Sequence, residues 1–110
     1  MCGLSGYYRS SKLDESHIVE MTKVLAHRGP DNTGYFEDDR ILLGHNRLSI
    51  IDLSDNANQP FYSANQRYVM IYNGEVYNFK QLRSELQSAG ETFVSRTDTE
   101  VVLKAYRRWG

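Results

Sequence analysis

The spacing of apolar residues changes several times along the chain, and each change predicts an element. Residues 2–8 predict a short strand, followed by polar Ser10 and Ser11. Ile18, Met21, Val24 and Leu25 then recur at the spacing of one helix face. His27-Arg28-Gly29-Pro30-Asp31 ends that helix in a tight loop, because Pro30 restrains its predecessor and Gly29 permits unusual dihedrals. Tyr35-Phe36 and Ile41-Leu42-Leu43 flank Asp38-Asp39 as a hairpin whose second strand continues through Gly44-His45-Asn46-Arg47. Leu48 to Leu53 keep an apolar rhythm before a polar loop to Gln59-Pro60. Tyr68-Val69-Met70-Ile71-Tyr72 predicts a buried strand running into Asn73-Gly74. A helix from about residue 78 turns Phe79, Leu82 and Leu86 towards the core and stops at Gly90. Thr92-Phe93-Val94-Ser95 predicts one more strand. Thr97-Asp98-Thr99-Glu100 fits a capping box opening a last helix that buries Val101, Val102, Ala105, Tyr106 and Trp109.

Strands and helices mix here without regular βαβ alternation, and there is neither an internal repeat nor a low-complexity linker. No glycine-rich phosphate loop is present, and Gly3 with Gly6 is too small a signal for a dinucleotide site. The expected class is α+β, with antiparallel sheet layered against helices. A chain of 110 residues, 40% apolar and 25% charged, reads as one soluble globular unit of cytoplasmic type. Thirteen basic against fourteen acidic residues give a net charge of -1, and no basic run interleaves with aromatics. Nucleic acid and membrane are therefore not expected as partners. One cysteine cannot form an internal disulfide, and three scattered histidines lack zinc-ligand spacing, so no metal is expected.

That cysteine is residue 2. Loss of Met1 would place a thiol and a free α-amine on one residue, so nucleophile and proton acceptor arrive together. A thiol titrates at ~8.5 and an α-amine at ~7.7–8.0, which lets the pair pass a proton near neutrality, through a water rather than a strained small ring. A lone cysteine is also commonly a small buried hydrophobe. Lipid attachment lacks an apolar signal segment, and myristoylation would need glycine at that place. Position alone leaves catalysis and accident both open.

Other residues carry two readings as well. Asn73-Gly74 between apolar runs is the signature of a two-residue hairpin turn. Asp98 suits a helix cap, Arg47 an exposed strand position, and Gly29-Pro30-Asp31 a loop shape. His45 reads as structural.

Taken in order, Met1-Cys2-Gly3, His27-Arg28-Gly29-Pro30-Asp31, Arg47-Leu48-Ser49-Ile50-Ile51-Asp52, Gln59-Pro60, Tyr72-Asn73-Gly74-Glu75-Val76-Tyr77-Asn78 and Arg96-Thr97-Asp98-Thr99-Glu100 resemble the N-terminal glutaminase domain, a class II glutamine amidotransferase, of glutamine-hydrolysing asparagine synthetases. The resemblance spans essentially the whole chain. It implies an N-terminal-nucleophile hydrolase fold, a four-layer αββα sandwich with antiparallel sheets, incomplete in this chain. It also implies hydrolysis of L-glutamine to glutamate and ammonia. Cys2 would attack the amide carbon, and the Asn73 side chain with the Gly74 N–H would hold the oxyanion. Removing one such donor costs ~2.7–4 kcal/mol of barrier. Arg47 would bind the substrate carboxylate and Asp98 its ammonium, with Glu75 assisting and Leu48 and Ile50 lining the pocket through backbone contacts. The Arg28 loop would lie near the nucleophile.

By the same resemblance, residues 1–110 form the N-terminal part of the amidotransferase domain, and the synthetase domain that uses ATP and Mg and receives the ammonia is absent. No cofactor is expected in this chain. The alternative is a truncated, noncatalytic remnant that folds partly and at most binds a partner. Uncovered strand edges and apolar faces lead to the expectation of a chain that is poorly stable alone or forms a homodimer. Aspartate is the family's default ammonia acceptor, but these residues do not name one.

Overall fold

The computed structural model describes residues 2–8, 16–50 and 52–110. Met1, Ser10-Ser11 and Ile51 of the segments quoted above lie outside the described residues. Strand β1 (Gly3–Tyr8) is followed by helix α1 (Ser16–Val24) and a 3-10 turn, Ala26–Arg28. The expected hairpin forms β2 (Asn32–Glu37) and β3 (Ile41–Arg47), with the Asp38 carboxylate accepting the Arg40 and Ile41 N–H groups across the turn. Together they make an antiparallel sheet in the order β1-β3-β2.

Alternation along central β3 sends successive side chains to opposite faces. One face carries Leu42 and Asn46, and it packs on α1, where Thr22 sits between Ser5 and Gly44. The Asn46 amide donates to the Thr22 carbonyl at 2.7 Å. The other face carries His45 and Arg47, both buried, together with exposed Leu4, Tyr8 and Ile41. Buried Ile18 and Thr22 are the centre of α1's inner face. The apolar rhythm had included Met21 and Val24, which instead face solvent because the sheet contact is made through the small hydroxyl-bearing Thr22.

Strands β4 (Phe61–Tyr62) and β5 (Val69–Met70) form a second, two-stranded antiparallel sheet. The buried strand expected over residues 68–72 is thus only two residues long. Its neighbours' polar groups turn elsewhere: the Tyr68 N–H donates to the Ser63 hydroxyl, and the Tyr72 N–H to the Gln59 side chain. Phe36 of the first sheet meets Tyr62 of the second edge to face, ring centres 6.2 Å apart.

Helix α2 (Phe79–Ser88) buries Leu86 and ends before Gly90, whose φ of +97° suits glycine at a helix stop. Helix α3 (Asp98–Trp109) packs against α2 and, through Tyr106, against Tyr68. Its buried side is Asp98 to Val101 with Leu103 and Lys104, whereas Tyr106 and Trp109 are 56% and 55% exposed. Thr92–Ser95 is not a strand: the Val94 and Ser95 N–H groups are both taken by the buried Glu100 carboxylate. That carboxylate had been expected to complete the capping box; only the Thr97 half of the box forms, its hydroxyl accepting the Glu100 N–H.

Among the described residues no helix is long and apolar enough to cross a membrane.

Candidate active site

Antiparallel register brings the start of β1 to the end of β3. Gly3 pairs with Asn46, so Cys2 comes to lie beside Arg47 and Leu48. The Leu48 N–H donates to Cys2 Sγ at 3.3 Å, and the thiol points back at the Leu48 carbonyl at 3.8 Å. Arg28 Nε donates to the Cys2 carbonyl at 3.1 Å, so its loop does reach the cysteine. The loop is seated by backbone shape. A Cβ on Gly29 would collide with the Asn46 carbonyl, the Asp31 N–H donates to the Arg47 carbonyl, and the Asp31 carboxylate accepts the Ser49 N–H.

Arg47 is 5% exposed, which overturns the reading of it as a surface arginine. Its Nη1 donates to the Ser54 carbonyl at 2.7 Å and to Asn58 Oδ1 at 2.8 Å. The loop making those contacts is itself held by Asp52, whose carboxylate accepts the Ser54 and Arg96 N–H groups. Hydrogen bonds from the Ser54 side chain, then from the Arg96 and Ser54 backbone, hold the Asp52 carboxyl down at about 2, with a further contribution from the Arg47 charge.

Asp98 is the first residue of α3, but Thr97 caps the helix, so capping does not account for the aspartate. It is also 5% exposed, and one oxygen accepts the Val76 N–H at 3.0 Å. Nor is Asn73-Gly74 a hairpin turn. Gly74 does not adopt positive φ, and the hairpin here is closed by residues 63–68 instead. Glycine at 74 serves close approach, because a Cβ there would lie 2.7 Å from the Tyr72 hydroxyl. Burial, and after it the charges of Asp98 and Glu75, push the Tyr72 phenol upwards, so it stays neutral.

These parts surround one cavity of about 440 Å³, within the size range of small-molecule sites. Cys2, Arg47, Leu48, Ile50, Asn73, Gly74, Glu75 and Asp98 all line it, so every residue singled out for chemistry in the sequence is brought together. Ile50, 73% exposed, belongs to its rim. The walls bear a cation and carboxylates, a pattern suited to a zwitterion. No set of three or more His, Cys, Asp or Glu side chains among the described residues is placed to hold a metal ion.

The family described as a glutamine amidotransferase domain matches residues 1–110. This chain belongs to that family. Among its relatives, the Bacillus subtilis protein named asparagine synthetase [glutamine-hydrolyzing] 1 is 42% identical over 99% of this chain, and Escherichia coli asparagine synthetase B [glutamine-hydrolyzing] is 35% identical over all of it. An amidase, chry2, of Gibberella zeae is 38% identical over the whole chain. The chain spans 18%, 20% and 18% of those relatives' lengths respectively.

The amidotransferase domain also places in its cavity residues to which sequence reasoning gave no role, among them Asp52, Gln59, Tyr72 and Thr99. All four stand inside quoted motifs, which was the available signal; their tasks depend on long-range partners. Gln59 Oε1 accepts the Tyr72 N–H at 2.6 Å, and its Nε2 donates to Thr99 Oγ1 at 3.3 Å. His45, fully buried, meets the Tyr72 carbonyl through Nε2 at 3.2 Å. Burial, partly offset by that bond, lowers the His45 pKa, which favours the neutral ring with its proton on Nε2.

Proposed function

We propose that this domain hydrolyses the side-chain amide of L-glutamine and supplies the ammonia to a synthetase domain. The observation that carries the reading is the convergence of Cys2, Arg47, Asn73, Gly74 and Asp98 on one cavity from segments far apart in the chain. With Met1 removed, the Cys2 sulfur attacks the amide carbon while its proton passes, through a water, to the freed α-amine. The Asn73 amide and Gly74 N–H receive the negative oxygen. The carbon–nitrogen bond then breaks, the α-ammonium returns its proton to the leaving group, and ammonia departs from a thioester. Water attacks that thioester, releasing glutamate and restoring the thiol. Arg47 holds the substrate carboxylate as Asp98 and Glu75 hold its ammonium, which positions the distant amide.

The fold that accompanies this chemistry is the four-layer αββα N-terminal-nucleophile sandwich, of which residues 1–110 would be the N-terminal part. Packing of α1 on the first sheet, and of α3 beside the second, supports it. Aspartate is the acceptor we favour, on the names of the synthetase relatives, and the cytoplasm the compartment, on the composition of the chain. ATP and Mg²⁺ would act in the synthetase domain. The described residues offer Mg²⁺ no such ligand set, and no step above passes through either.

Cys2→Ala tests the proposal. Glutamine hydrolysis should vanish, measured as glutamate released, while an intact-mass measurement shows a glutamine-like electrophile adding once to the parent and not to the variant. Ordinary turnover in the variant would refute it.

A further inference from the structure

The proposed oxyanion donors, Asn73 and Gly74, lie in a stretch that has no regular secondary structure to fix it. A backbone N–H stabilises a transition state only if its direction is set in advance, since reorienting a peptide during the reaction forfeits the gain. What sets the direction here lies just outside the stretch. The Tyr72 N–H is held by Gln59 Oε1 at 2.6 Å, and the Tyr72 carbonyl by His45 Nε2 at 3.2 Å. These two groups belong to the two peptide planes on either side of the Tyr72 Cα, so fixing both fixes that residue's φ and ψ. The second plane leads directly into Asn73.

The far ends of this arrangement are anchored too. Gln59 is buried and its Nε2 donates to Thr99 Oγ1, while His45 is fully buried in central β3. Downstream, the Val76 N–H is tied to Asp98. Residues 73–75 therefore hang between ties at Tyr72 and Val76, and two of those ties end on the first turn of α3.

We infer that Gln59 and His45 are positioning residues for the oxyanion donors: each clamps one peptide plane of Tyr72, and neither acts on the substrate itself. The inference rests on the glutaminase reading.

The experiment measures kcat and KM for glutamine in the full chain for Gln59→Met, which keeps volume and removes both hydrogen bonds, and for His45→Leu beside His45→Gln, whose amide nitrogen can replace Nε2. Gln59→Met and His45→Leu should each lower kcat tenfold or more, with KM within about twofold of the parent, and His45→Gln should recover most of the loss. Glutamate γ-semialdehyde, which forms a tetrahedral adduct on Cys2, should bind more weakly in step with kcat. Glutamine affinity in a Cys2→Ala background should not change. A rise in KM alone, unchanged kcat in Gln59→Met and His45→Leu, or equal losses in His45→Leu and His45→Gln would overturn the inference. Should one buried position fail to fold when changed, the other decides. If parent and Cys2→Ala behave alike, the glutaminase reading has failed instead; if Cys2→Ala is dead and Gln59→Met is normal, only the clamp has.

Discussion

At the level of single residues, Arg47 shows how a charged group is made ready before anything binds. Its Nη1 is fixed by the Ser54 carbonyl and Asn58 Oδ1, so the rotamer entropy of a long side chain is spent during folding rather than on binding. Arg47→Ala should therefore raise KM for glutamine by on the order of tenfold or more, the scale of a lost charge-assisted bond of about 1.5–3 kcal/mol. Steady-state kinetics check this, and an unchanged KM would remove Arg47 from the substrate site. The reading of the guanidinium as a partner for the substrate carboxylate came only from the family resemblance. The burial of Arg47 was not legible: the local reading was an exposed strand position, whereas the end of β3 is buried on both faces, from Gly44 to Arg47. Ser54 and Asn58 were illegible, because ordinary loop residues give no local sign of a partner several residues upstream.

At the level of elements, the sequence marked α2, α3 and the β2–β3 hairpin clearly, since periodicity, a cap and a stop glycine agreed with one another. It failed where a side chain outcompeted a neighbouring strand for backbone donors. Residues 92–95 have the composition of a strand, yet the Glu100 carboxylate accepts the Val94 and Ser95 N–H groups and the Ser95 hydroxyl. A buried side chain five to six positions downstream has thereby replaced a ladder. Glu100→Leu would orphan those donors at about 1–3 kcal/mol each, so a loss of more than about 2 kcal/mol is expected in the urea midpoint analysis. A loss below about 0.5 kcal/mol would mean the loop keeps its shape without the carboxylate. The Asn73-Gly74 turn failed for a related reason: the dipeptide matched a hairpin locally, but Tyr72 is committed at both N–H and carbonyl to distant partners.

Across the whole molecule, contacts of long sequence separation assemble the site, and Asp52 is the clearest of them. Its carboxylate joins the loop that braces Arg47 to the Arg96 N–H, 44 residues away. Because folding holds this carboxyl at about 2 against an ordinary 3.8, the folded chain binds its proton less readily than the unfolded one. The stabilisation is complete above the unfolded value and disappears as pH falls through the folded one. Asp52→Asn, which cannot titrate, should therefore unfold more easily than the parent at neutral pH, and the gap should close between about pH 4 and pH 2. Denaturant midpoints across that interval measure it; a gap that stays constant would show that the carboxylate's charge is irrelevant. Such links are invisible to any window along the chain, which is why the residues of the site could be named from motifs while their mutual supports could not. The seat of Gly29 on β3 carries the same lesson into the geometry of attack. A single added methyl group there would strike the Asn46 carbonyl and lift the segment bearing Arg28, which grips the carbonyl of Cys2. An atom absent from position 29 thus helps decide where the sulfur stands.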